Sequence, residues 1–182
     1  GSVIIAMHHE QDIWKMGGLR KKMPITFLCM TIGTLAIIGT PLFSGFYSKD
    51  LIIEVVKESK LAASSFAYVA VLLGVMVTSL YSFRLLFVVF FGKPRMSEYT
   101  YSHVHETPFV VWGPLVALAI PSMIAGFLFV GPMFEGFFGN AITVLSSHEN
   151  VAHVASHYHG PLAMALHGLT SWPFWLMIAG LV

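Results

Sequence analysis

Lys49 and Asp50 are a neighbouring base and acid set in apolar surroundings. Ile37-Ile38-Gly39-Thr40-Pro41-Leu42-Phe43-Ser44-Gly45-Phe46-Tyr47-Ser48 precede them, and Leu51-Ile52-Ile53 with Val55-Val56 follow. An amine in such a place can do proton chemistry. Burial disfavours a lysine's charged form, while a neighbouring carboxylate or water chain restores it. Its protonation state can therefore switch when nearby charges move, which an arginine's cannot. Whether Lys49 is buried depends on the helix before it, and two readings stand open. A straight helix from Pro24 to Phe46 is about 35 Å long and already crosses a bilayer, leaving Lys49 and Asp50 in water as a pair worth little. In the second reading the helix breaks around Pro41, and Lys49 sits near mid-membrane at the start of a half-helix running to about Glu58. Pro41 removes a backbone donor and clashes with the preceding turn, and Gly39 and Gly45 are the flexible partners of a kink. Apolar residues also resume after the charges, which a water-facing loop has little reason to do. Interrupted backbone at membrane depth survives only where protein or a water-filled cavity surrounds it, as in ion-translocating helices.

Two further groups could do chemistry. Arg84 lies about 12 Å from the end of its apolar run near Gly92, at about 1.5 Å per residue. It either snorkels to the interface or serves as a buried partner of Tyr81, three residues away on the same face, within the polar strip Thr78, Tyr81 and Ser82. The second group is histidine. His148, His153, His157 and His159 fall in one stretch, with His153 and His157 spaced so that one helix face carries both. That spacing suits a zinc or copper ion, but no cysteine accompanies it and Glu149 is the one nearby carboxylate. A hydrophilic surface loop is the competing reading, and no metal is assigned.

The elements that must position these residues are membrane spans. A soluble domain carries about 25% charged residues, whereas this chain of 182 has 10%. Apolar segments run over about 23–58 (the interrupted one), 65–91, 109–130 and from 161 or 171 to 182, where the last is cut short. Those at 65–91 and 109–130 meet the roughly 20 residues that crossing about 30 Å requires. Alternation of period two is absent, so the expected fold is an all-α polytopic transmembrane helix bundle rather than a β-barrel, within a single domain. The loop 8–22 carries Lys15, Arg20, Lys21 and Lys22, and the loop 92–108 carries Lys93 and Arg95, while Lys57 and Lys60 lie on the other side. The positive-inside rule puts the six in the cytoplasm and the loop 131–160, free of Lys and Arg, on the opposite face. Trp112, Trp172, Trp175 and Tyr68 sit near span ends as interface anchors.

Several functions are excluded. Net charge is +1, which gives no basic surplus for nucleic acid. Cys29 is the single cysteine, and an iron–sulfur site takes about four ligands. No Gly-rich phosphate loop is present, so redox chemistry connected with this protein would occur on other chains. The chain opens and closes inside apolar stretches and has no secretory leader, so it reads as a fragment of a longer protein.

The run His8-His9-Glu10-Gln11-Asp12-Ile13-Trp14-Lys15-Met16-Gly17-Gly18-Leu19-Arg20-Lys21-Lys22-Met23-Pro24 resembles the cytoplasmic loop of the antiporter-like subunits of respiratory complex I. Gly45-Phe46-Tyr47-Ser48-Lys49-Asp50 is similar to the broken-helix motif of the L-type (subunit 5) members, and Thr78-Ser79-Leu80-Tyr81-Ser82-Phe83-Arg84 fits the same pattern. The M and N sisters share the Gly-Leu and Met-Pro features without Ser-Lys-Asp. The resemblance is strong over about 1–95 and weaker after. It departs at Leu51, where many relatives carry glutamate.

The resemblance implies that residues 1–7 end the family's eleventh helix, followed by its broken twelfth, then helices thirteen and fourteen and the start of fifteen. Its orientation agrees with that read from the basic residues. It implies a proton-translocating subunit of NADH:quinone oxidoreductase in a bacterial inner membrane, with 8–22 and 92–108 cytoplasmic and 131–160 periplasmic. Lys49 would carry protons in an exit half-channel, tuned by Asp50, with Ser48 and Tyr47 beside them. No cofactor is expected on this chain; FMN, iron–sulfur clusters and quinone belong to partner subunits, among them an adjacent M-type subunit. A multi-subunit sodium/proton antiporter or a membrane-bound hydrogenase shares the fold, but Asp50 and the His8-His9-Glu10 opening favour complex I.

Overall fold

The computed structural model describes residues 1–134, 136–139, 141, 153–154, 156 and 158–181, and among these every regular element is helical. A short helix α1 (Ser2–Ala6) leads into two 3₁₀ turns, Ile13–Lys15 and Leu19–Lys21. Then come α2 (Pro24–Ile38), α3 (Ser44–Lys57), α4 (Ser64–Phe90), α5 (Glu98–His103) and α6 (Phe109–Phe134). The short helices α7 (Pro161–Gly168) and α8 (Trp172–Ala179) close the chain.

The rod that would run on from Pro24 stops at Ile38. Gly39 takes the left-handed conformation at φ 82°, its N–H donates to Ala36 O at 3.2 Å, and the Thr40 N–H reaches back to Leu35 O at 3.0 Å. This pair of bonds is a Schellman ending, so the break begins at Gly39 rather than at Pro41. Pro41 lies in the connector, where it bars the helix from resuming, and Leu42 follows with φ 77°. Gly45 differs from the expectation as well. It lies in the first turn of α3, and a Cβ there would overlap the Ala36 carbonyl of α2. Close approach of the two half-helices requires it, not flexibility.

Helices α4 and α6 are each long and apolar enough to cross a membrane. α6 continues past Val130 to Phe134 and tolerates Pro114, Pro121 and Pro132 within one helix. A single span over 161–182 is corrected to two pieces, since α7 and α8 are bent by 56° at a break. Leu169, Thr170 and Ser171 turn back to the carbonyls of Leu166, His167 and Gly168, and Ser171 is extended (φ −77°, ψ 152°) ahead of Pro173. A proline accepts the first turn of a helix and refuses the interior of one, so α8 starts afresh there.

Three apolar clusters hold the bundle. Met16, Leu19, Met23, Leu86 and Phe90 pack at the end that carries the basic loops. Ile38, Ile53, Val75 and Met177 meet at mid-height from α2, α3, α4 and α8. Phe46, Tyr47, Val130 and Ala165 close the other half. The outward faces stay apolar, with Phe66, Val69 and Leu73 on α4 and Leu118 and Leu128 on α6 exposed, as surfaces meeting lipid or neighbouring helices are.

Candidate functional site

The Lys49 side chain folds back from α3 onto the end of α2. Its Nζ donates to the Ile38 carbonyl at 3.4 Å, one of the last four carbonyls that a helix leaves without an internal partner. That end carries the negative pole of the helix, which suits an ammonium. Gly39 makes room, because a Cβ there would come within 3.2 Å of Lys49 Cδ. Lys49 is half-buried and Asp50 is 7% exposed. Both border a cavity of about 20 Å³ shared with Gly39, Pro41, Ser171 and Pro173, room for about one water molecule. Asp50 also borders a larger cavity of about 370 Å³, with Glu54, Lys57, Glu58, Tyr158 and His167. Asp50 is thus the side chain common to both spaces, with Lys49 on one side and the larger cavity on the other.

The neighbours in the motif divide. Tyr47 is buried and its hydroxyl donates to Pro161 O at 3.3 Å. Ser48 is exposed and turns to Gly45 O at 3.4 Å, away from the amine. A residue the motif reading missed does more: the Ser44 hydroxyl donates to Pro121 O at 2.8 Å and accepts from the Gly126 N–H at 3.0 Å. This side chain inserts into the α6 backbone just past Pro121 and docks the start of α3.

Residues 1–78 match a family model described as NADH:quinone oxidoreductase/Mrp antiporter, TM. NADH-quinone oxidoreductase subunit L of Neisseria meningitidis serogroup B is 45% identical to this chain over 100% of it and 30% of its own length. The subunit L of Rhodobacter capsulatus is 41% identical, covering 84% of this chain and 22% of the relative. NADH-ubiquinone oxidoreductase chain 5 of Dictyostelium citrinum is 47% identical over 70% of this chain and 19% of its own. Over these stretches the chain is similar to this antiporter-like family. It spans about a third or less of the curated relatives it matches.

Of the two readings of Arg84, the buried partnership with Tyr81 and Thr78 does not form. Tyr81 is 51% exposed, and Arg84 is exposed with its guanidinium 5.3 Å from the Trp14 ring centroid. A long cationic side chain one helix end away from polar surroundings reaches out and stacks. The buried polar groups of α4 are instead Ser79, whose hydroxyl donates to Met177 O at 2.6 Å, and Ser82. The two basic loops lie together at one end. Arg95 donates to the carbonyls of Ile13, Trp14 and Val88, and Arg20 stacks on Phe91. Glu10 pairs with Lys15 at 3.0 Å; the Asp12 N–H, then Lys15, hold its carboxyl below the usual carboxylate range.

At the same end, Glu106 accepts from the Ile25 N–H (2.8 Å), the Thr26 N–H (3.2 Å) and the Thr26 hydroxyl (2.5 Å). A carboxylate from the loop just before α6 thereby caps α2, whose own N-cap residue Met23 offers no side-chain acceptor. The one sequence signal was an acid at the lip of an apolar run, at the level where α2 begins. Of the two histidines whose spacing would suit a metal ion, His153 is exposed on the wall of the larger cavity, and His157 lies outside the described residues. Among the described residues no group of three or more His, Cys, Asp or Glu is placed to hold a metal ion.

Proposed function

We propose that the protein is a proton-translocating subunit of the membrane arm of NADH:quinone oxidoreductase. In this reading Lys49 loads and releases a proton at the interruption between α2 and α3, and Asp50 passes it on. The observation that carries the proposal is the amine held at the end of an α2 of 15 residues. Such a helix is about 22 Å long, short of the roughly 30 Å of hydrocarbon. With its capped start among the basic loops, α2 therefore ends inside the membrane, and Lys49 ends there with it. The six basic residues of those loops face the cytoplasm by the positive-inside rule, so α3 and the larger cavity lead outward to the periplasm of a bacterial inner membrane.

Moving one charge across 100 mV costs about 2.3 kcal/mol, so the path needs an external driver. Quinone reduction on partner subunits that hold FMN, iron–sulfur clusters and quinone supplies it, and an M-type subunit is the adjacent partner. Leu51, where many relatives carry glutamate, leaves Asp50, Glu54 and, at the half-helix's end, Glu58 as the acids that border the larger cavity. The family description also names an antiporter. Dependence of transport on sodium rather than on NADH would favour that second reading.

The experiment replaces Lys49 by alanine, and separately by arginine, in the whole protein within its assembled complex, and follows NADH-driven proton uptake in inverted vesicles. Alanine removes the carrier and arginine cannot give up its proton, so both should depress pumping severalfold. Undiminished pumping by Lys49→Ala would take Lys49 out of the path.

A further inference from the structure

We infer that His167 is the proton-release group of the larger cavity: it takes the proton from Asp50 and delivers it to the outer face. The inference rests on the reading of Lys49 and Asp50 as a proton path.

Three residues of α3 and its C-cap Glu58 trace a single face into this cavity at helical spacing. Exposure rises along it, from buried Asp50 through half-buried Glu54 to exposed Lys57 and Glu58. A proton leaving Asp50 meets a wall that becomes steadily wetter. Across the cavity stands His167, exposed in the last turn of α7. Glu54 and His167 both line the cavity into which Asp50 opens. Only one of the two is a base that can accept a proton and discharge it around neutral pH. The remaining titratable groups facing the cavity are Lys57 and Glu58 on α3 and His153, Tyr158 and His159 on the segment leading into α7.

The step is a simple transfer. The O–H bond of the Asp50 carboxyl breaks and an N–H bond forms on the His167 ring, directly or through water in the 370 Å³ cavity. Asp50 is left as carboxylate, ready for the next proton from Lys49, and the imidazolium loses its proton to bulk. Glu54 steadies the imidazolium while it is charged. An imidazole already protonated from outside cannot accept, so acid on the outer face should slow turnover.

The test uses the whole complex in proteoliposomes with that face accessible. Proton release is followed against outer pH for the native protein, for His167→Gln, and for His167→Ala with and without added imidazole. Native release should fall as outer pH drops, and His167→Gln should lose that step and run severalfold slower. Imidazole buffer should restore His167→Ala, a response that a merely structural role would not give. Persistence of the pH step in His167→Gln, or failure of imidazole to restore His167→Ala, overturns the inference. Lys49→Ala in the same preparation separates the two claims. If it stops pumping while His167→Gln keeps the native profile, the outlet alone is wrong; if it pumps normally, the underlying path falls and the outlet with it.

Discussion

Lys49 owes its place to two glycines with different jobs. Gly39 supplies the left-handed turn that ends α2 and leaves room for the lysine stem. Gly45 lets α3 lie against the Ala36 carbonyl. Alanine at either position is unfavourable, but the neighbours that must yield differ. At Gly39 the obstacle is the flexible Lys49 Cδ, plus about 1–2 kcal/mol for a left-handed alanine. At Gly45 the obstacle is backbone that belongs to a helix, and overpacking of that kind costs about 1–3 kcal/mol and drives the two half-helices apart. Gly45→Ala should therefore lower the thermal midpoint of the isolated complex more than Gly39→Ala, and depress pumping more. The reverse order in a melting experiment would mean that the contact with Ala36 does not set the spacing. The candidacy of Lys49 and Asp50 was legible because charge among apolar residues is conspicuous in sequence. Ser44 and Ser79 were not, since each is an ordinary serine whose partner lies far along the chain, at Pro121, Gly126 or Met177.

The first helical interruption could be read from Gly39, Pro41 and the apolar residues resuming after Lys49. Its exact start could not, because a proline advertises itself while a Schellman ending depends on which carbonyls remain in reach. The break between α7 and α8 was hidden, as Ser171-Trp172-Pro173 reads equally well as the first turn of one span. Least visible was the capping of α2 from outside. Three hydrogen bonds join Glu106 to Ile25 and Thr26, and Ser2 extends the network to Thr26 and Thr107 at 2.9 and 2.7 Å. An anionic acceptor at a helix start satisfies orphan donors and meets the positive pole at once. Glu106→Ala should cost about 1.5–3 kcal/mol, the range for hydrogen bonds to a charged group. It should also speed amide hydrogen exchange at Ile25 and Thr26 while the amides of α4 keep theirs. Glu106→Gln, which keeps one acceptor without the charge, should fall between. Unchanged exchange at both amides in the alanine variant would show that α2 holds its start without this carboxylate.

Across the whole bundle, the two interrupted stretches meet. Gly39 and Pro41 from the first and Ser171 and Pro173 from the second border the same small cavity beside Lys49 and Asp50. Neither interruption could stand facing lipid, since its freed backbone groups would lack partners; packed together they line a protected space. What holds the second break there is the contact of α8 with α4. The Ser79 hydroxyl donates to Met177 O, and a Cβ on Gly180 would overlap the Met76 carbonyl and come within 2.8 Å of Ser79 Cβ and 3.0 Å of Leu80 N. Gly180→Ala must push α8 off α4, because backbone carbonyl and helix cannot give way. Ser171 and Pro173 would move with it, opening the small cavity and loosening the transfer from Lys49 to Asp50. Under the proposed function the expected signature is a fall in protons moved per NADH oxidised, with the oxidation rate itself less affected, because that proposal assigns the electron path to other subunits. Phe66→Ala, at a side chain 79% exposed on the outward face of α4, removes apolar surface without touching the junction and should leave that ratio alone. Equal ratios in the two variants would separate the junction of the breaks from coupling, and leave Lys49 to work within α2 and α3 alone.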